Sequence, residues 1–161
     1  MGLPTAPVTS RDLVHSRRSE LTALFRASPA GPVPDGRGAG TVLLGTGGPL
    51  SVIAAGLARA LLWRGKIVDA RAGRLRNLVS PLEVRSFIAQ VDQRPSWVGG
   101  EPCTVLDYSR TSRLARAVRD EIREVAPRLY MGPVFLGRRH VLDFALDFGA
   151  PRGERGAGLR P

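Results

Sequence analysis

Between His140 and Phe148 the chain alternates cleanly: His140, Leu142, Phe144, Leu146 and Phe148 fall on one side of an extended strand, with Val141, Asp143, Ala145 and Asp147 on the other. The apolar run Leu129–Leu136 precedes it, and Gly137-Arg138-Arg139 joins the two as a hairpin. Upstream, 66–69, 74–79, 82–92 and 102–108 are short β-like segments separated by turn residues. A shorter strand is expected at 41–44. Three stretches carry helical spacing instead. Leu13, Val14, Leu21, Leu24 and Phe25 share one face of a helix over 10–27, with Ser10 as its cap. Residues 49–63 are apolar nearly all round and start on Pro49, a favourable first helical position, so a buried core helix is expected there. Leu114, Val118, Ile122 and Val125 form a stripe that predicts a third helix over 112–125, ended by Pro127.

The fold class expected from this pattern is α+β: an antiparallel curved or small barrel-like sheet packed with two or three helices. The Pro- and Gly-rich stretch 28–40 reads as a linker, and the segment after Gly149 has almost nothing to bury. The expected organisation is therefore an N-terminal amphipathic helix and linker over 1–40, a compact domain over 41–149 and a disordered tail over 150–161. The apolar stretch 41–63 is broken by glycines and Pro49, too short to span a bilayer as a helix.

Composition changes this picture little. The net charge of +10 invites a nucleic-acid reading, but the excess is spread along the chain, and 23 of the 24 basic residues are arginine. The densest basic stretch, 64–76, is the candidate anion or nucleic-acid surface. One cysteine, Cys103, forms no internal disulfide, and no secretory leader pattern opens the sequence, so the cytoplasm is the expected location.

Candidate chemistry is sparse. Gly45-x-Gly47 between a strand and a helix, followed by Asp69 at the end of a second strand, has the outline of a dinucleotide-binding turn, although Leu50 stands at the third glycine position. No Walker-type phosphate loop occurs, and two histidines with one cysteine give no metal-ligand spacing. No cofactor or metal is expected. Cys103 with His140 is a conceivable nucleophile and base; a small buried hydrophobe is the simpler role for the cysteine. Polar residues that interrupt apolar strands are of more interest: Asp107 and Asp143 as acid/base groups, with Tyr108 and Tyr130 as hydrogen-bond donors.

Trp63-Arg64-Gly65-Lys66, Pro95-Ser96-Trp97, the run Leu106–Ser112, and the run Arg119–Pro127 followed by Leu129-Tyr130-Met131-Gly132 resemble a family of small uncharacterised bacterial proteins, over about residues 60–148. That resemblance implies no activity. A looser similarity is to calycin-like barrels, in which an N-terminal helix leads through a tryptophan into antiparallel strands; it implies a ligand-holding barrel.

The function expected is binding of a small, mostly hydrophobic molecule in a barrel-like pocket, without catalysis. Trp63, Trp97, Tyr108, Tyr130, Phe135 and Phe144 are its candidate lining, and Arg76, Asp107 and Asp143 would orient a polar end. Two alternatives stay open: an isomerase or cyclase using the same pocket, and nucleotide or nucleic-acid binding through the glycine turn or segment 64–76.

Overall fold

The computed structural model describes residues 8–43, 63–79, 88–110 and 116–149. Eight antiparallel strands form a closed barrel in chain order: β1 (Gly36–Leu43), β2 (Trp63–Asp69), β3 (Arg74–Val79), β4 (Ile88–Pro95), β5 (Pro102–Asp107), β6 (Val118–Ala126), β7 (Leu129–Leu136) and β8 (Arg139–Asp147). The ring closes where Ala39–Leu43 of β1 pairs with Asp143–Asp147 of β8. Closure removes both sheet edges and gives every strand an inner and an outer face.

Among the described residues the helices are few. The single expected N-terminal helix is two, α1 (Ser10–Val14) and α2 (Arg18–Ala27). Thr9 rather than Ser10 caps the first, exchanging hydrogen bonds with Asp12. The Glu20 carboxylate accepts from Arg17 N and starts the second. The helix expected at 49–63 lies, but for Trp63, outside the described residues. The helix expected at 112–125 is overturned: 118–126 is β6, paired with β5 on one side and β7 on the other. Among the described residues the fold is thus mostly sheet, a barrel with two short helices.

Two hydrophobic layers follow from the alternation. Val68, Leu75, Ala89, Val91, Leu106, Ile122, Tyr130, Phe144, Leu146 and Phe148 form the inner core of the barrel. Leu43, Cys103, Val105, Leu129, Met131 and Ala145, from the outer faces, pack with Leu13, Leu21 and Phe25 of the helices. The helices lie over β1, β6, β7 and β8. Arg123 of β6 fixes the second of them: its buried guanidinium donates to the carbonyls of Phe25 and Arg26 at the C-terminal end of α2 (3.0 and 3.1 Å), and to Glu101 O at 2.8 Å. A cation at that end also meets the negative pole of the helix.

The segment expected as a linker is drawn into the fold. Glu124 N donates to Pro29 O, Tyr130 Oη donates to Pro32 O, and Val33 packs on the inner core, so residues 29–33 cover one end of the barrel. Strand β1 begins at Gly36, inside the span read as linker, although Gly36, Gly38 and Gly40 have poor strand propensity. The tertiary reason is space: a Cβ on Gly65 of β2 would stand 2.0 Å from Gly38 O, and one on Gly38 would stand 2.8 Å from the Phe148 ring.

Gly132 of β7 is under the same pressure, since a Cβ there would lie 1.9 Å from Glu121 O and 3.0 Å from the Phe25 ring. Gly132→Ala should therefore lower stability by about 1–3 kcal/mol through overpacking. Chemical denaturation of the two proteins side by side reads it, and equal midpoints would contradict the close approach of β6 to β7.

Candidate functional site

Inside the barrel, one group of polar side chains breaks the apolar lining. Lys66 of β2 points inward and is 4% exposed. Its Nζ lies 2.9 Å from Asn77 Oδ1 and 2.9 Å from Asp120 Oδ2, and it donates to the Tyr108 hydroxyl. Tyr108 Oη is in turn 3.2 Å from Asp120 Oδ2. The ammonium also stands over the rings of Tyr108 and Phe144, at 5.1 and 5.4 Å from their centroids.

Strand geometry explains the gathering. Lys66 and Asn77 are cross-strand partners on β2 and β3. Asp120 lies opposite Leu106 on the β5–β6 ladder, and Tyr108 follows at the end of β5. Because the ring has eight strands, β2 and β6 face each other across it. The Lys66–Asp120 ion pair therefore crosses the interior from wall to wall, with both side chains 5% exposed.

Electrostatics follow from burial. Desolvation alone would lower the Lys66 pKa, but the adjacent Asp120 carboxylate and the Tyr108 phenol outweigh it and hold the ammonium protonated above its ordinary range. Desolvation first, then the Asp120 charge, pushes the Tyr108 phenol up to about 12. The interior thus holds a neutral phenol beside a neutralised ion pair. Asp120 Oδ2 is engaged, whereas its Oδ1 is buried without a hydrogen-bond partner among the described residues.

Several residues singled out from sequence stand elsewhere. Asp107 is on the outer face, 3.0 Å from Arg94 Nη1 and accepting from Ser109 N. Partial burial would raise its pKa, but the bonds from Ser109 and Arg94 hold the carboxyl below the usual range. Asp143 also faces outward, 2.9 Å from His140 Nε2. Tyr130 points inward at the covered end, where its hydroxyl is taken by Pro32. Of the candidate lining, Phe144 is interior, while Trp97 and Phe135 pack edge to face outside the barrel with the Arg119 and Arg138 guanidiniums over the indole. Arg76 is exposed on the outer face of β3. Trp63 opens β2, and its side chain is outside the described part. The structure therefore brings together Tyr108 and Phe144 of the sequence-derived candidates, and adds Lys66, Asn77 and Asp120.

Other expectations are corrected by topology. The dinucleotide outline needs parallel strands, yet β1 and β2 are antiparallel neighbours. Asp69 accepts from Ala72 N and shapes the β2–β3 turn, while the Gly45–Gly47 turn lies outside the described residues. Within the basic stretch 64–76, Lys66 turns inward and is neutralised by Asp120. Cys103 and His140 lie on β5 and β8, three strands apart around the ring. Burial first, then Glu121, pushes the Cys103 thiol up to about 12, far from a nucleophile's range. No helix among the described residues is long and apolar enough to cross a membrane.

A signal for the missed residues was present in composition. Lys66 is the sole lysine among 24 basic residues. Guanidinium has a rigid fork, whereas an ammonium on a flexible stem fits three convergent acceptors.

The crystal structure of a protein from Thermomonospora curvata resembles this fold, with a TM-score of 0.57 over 81% of this chain and 86% of that one. At 18% identity the likeness is one of fold alone. No protein-family model and no curated protein matches the chain.

The phenol shifts set the response to alkali. With its native pKa near 12 against 10.0 when unfolded, Tyr108 stabilises the fold fully below pH 10, and that contribution is lost as the pH rises towards about 12. Burial, then Glu124, pushes Tyr130 up to about 12 as well. Native protein at about pH 11 should therefore show little tyrosinate absorbance until denaturant is added. Tyrosinate appearing near pH 10 in folded protein would show that the phenols are solvated.

Proposed function

We propose that the barrel interior binds one small, mostly hydrophobic molecule and anchors its polar end at the Lys66, Asn77, Tyr108 and Asp120 group. The observation that carries this reading is the buried Asp120 Oδ1, an acceptor without a partner among the described residues, set in an apolar lining. Such an orphan is costly unless something donates to it. Eight-stranded barrels are also of the size that either fills with side chains or holds one small ligand. With residues 29–33 over one end and the polar group near the other, late in β3, just after β5 and early in β6, the interior is apolar at one end and polar towards the other.

A second reading, an isomerase or cyclase, is favoured by the same oxygen standing beside a phenol. Asp120 would serve as base and Tyr108 as donor, in place of Asp107 and Asp143 on the outer face. Incubating the extracted molecule with fresh protein separates the readings: a binder returns it unchanged, an isomerase returns a rearranged product of equal mass.

Native mass spectrometry of protein from its own host should find one small molecule per chain, released on denaturation. Lys66→Met alone should lose about 3–5 kcal/mol, because it strands a buried carboxylate, whereas Lys66→Met with Asp120→Leu should fold as stably as the parent or better. That double variant should come through purification empty. A fully occupied, stable double variant would place the ligand elsewhere, and an empty parent protein that also binds no apolar fluorescent probe would remove the proposal.

A further inference from the structure

We infer that the interior selects an uncharged ligand bearing a hydrogen-bond donor, of the hydroxyl class, and rejects the corresponding carboxylate. The inference rests on the binding reading above and deepens it. A lysine inside a barrel suggests an anion site at first sight, a carboxylate laid against an ammonium. Here that place is taken, since Asp120 Oδ2 stands 2.9 Å from Lys66 Nζ, with Asn77 and Tyr108 on the same nitrogen. The pair carries no net charge. Bringing a further carboxylate into the interior would leave one negative charge without a counterion, and no other cationic side chain is found among the described members of the inner core.

The buried atom without a partner among the described residues has the opposite polarity. Asp120 Oδ1 is an acceptor, so it asks for a donor, which an ionised carboxylate lacks. A primary ammonium would supply one but would leave a positive charge in excess, next to Lys66. A neutral hydroxyl meets both conditions: it donates to Oδ1, adds no charge and leaves its alkyl part against Leu106, Ile122 and Phe144.

The test is a matched pair of probes, 1-octanol and octanoate, competed at neutral pH against an apolar fluorescent probe bound to the full chain. Octanol should displace the probe and octanoate should be about a hundredfold weaker, because an uncompensated buried charge costs well over the energy of a tenfold change in affinity. Asp120→Asn should reverse the order, since it removes the negative charge 2.9 Å from the Lys66 ammonium and makes octanoate its replacement. Octanoate binding the parent protein as tightly as octanol would overturn the inference while leaving hydrophobic binding intact. Neither competitor acting, with no fluorescent probe bound, would overturn the binding reading and this inference with it. A folded Asp120→Asn protein that still prefers octanol would show that the charge pair does not set the preference, and the comparison on the parent protein decides the matter if that variant does not fold.

Discussion

The Lys66–Asp120 ion pair is the constraint on which the interior depends. It joins strands that face each other across the barrel, so it exists only when the ring is closed and in register. A one-residue slip of β6 would turn Asp120 and Ile122 outward and bring Arg119, Glu121 and Arg123 in, leaving two guanidiniums and the Lys66 ammonium in the interior with one carboxylate between them. The pair thus makes wrong registers costly. Asn77 and Tyr108 sharpen this by tying the same ammonium to β3 and to the end of β5.

Outside the barrel, a second buried charge does related work by different means. Arg123 has no carboxylate partner among its described bonds; its guanidinium is held by backbone carbonyls of α2, Ser28 and the 96–101 turn. Those are groups that a helix end leaves unpaired. Glu121, two residues earlier on the same outer face, accepts from Ser96 Oγ, Trp97 N and Arg119 Nε and fixes the other side of that turn. Alternate residues of one strand therefore organise both surfaces: Asp120 and Ile122 the interior, Glu121 and Arg123 the outer layer.

That division explains what the sequence disclosed. Strands with apolar inner faces, β7 and β8, were legible to within a residue, as their hydrophobic alternation is plain. Strand β6 was not, because charged residues occupy both of its faces and the surviving apolar positions, Val118, Ile122 and Val125, happen to fit a helical stripe. Its assignment hinged on pairing with β5 and β7, which local periodicity does not carry. The same error hid Asp120, since on a helix over 112–125 it stands off the stripe of Leu114, Val118, Ile122 and Val125. Strand β1 was obscured for another reason: its glycines are required by the close approach of Gly65 and Phe148, both far along the chain. Tyr108 and Phe144 were recoverable because each sits in a strand-like run, but which face of β5 turned inward was settled by closure, and this put Asp107 outside.

A buried ion pair is a weak device for stability, since well-packed apolar residues of similar volume serve as well or better. Retaining one inside a barrel calls for a further reason. Register is one, and the crossing geometry supplies it. Register alone, however, needs no unpaired oxygen, and a pair kept for pairing would be expected to have all its acceptors satisfied. Asp120 has one carboxylate oxygen committed to the fold and the other uncommitted among the described residues, in the same buried interior. On the binding role proposed above, the first oxygen holds the barrel in register and the second is kept for a donor that arrives from outside.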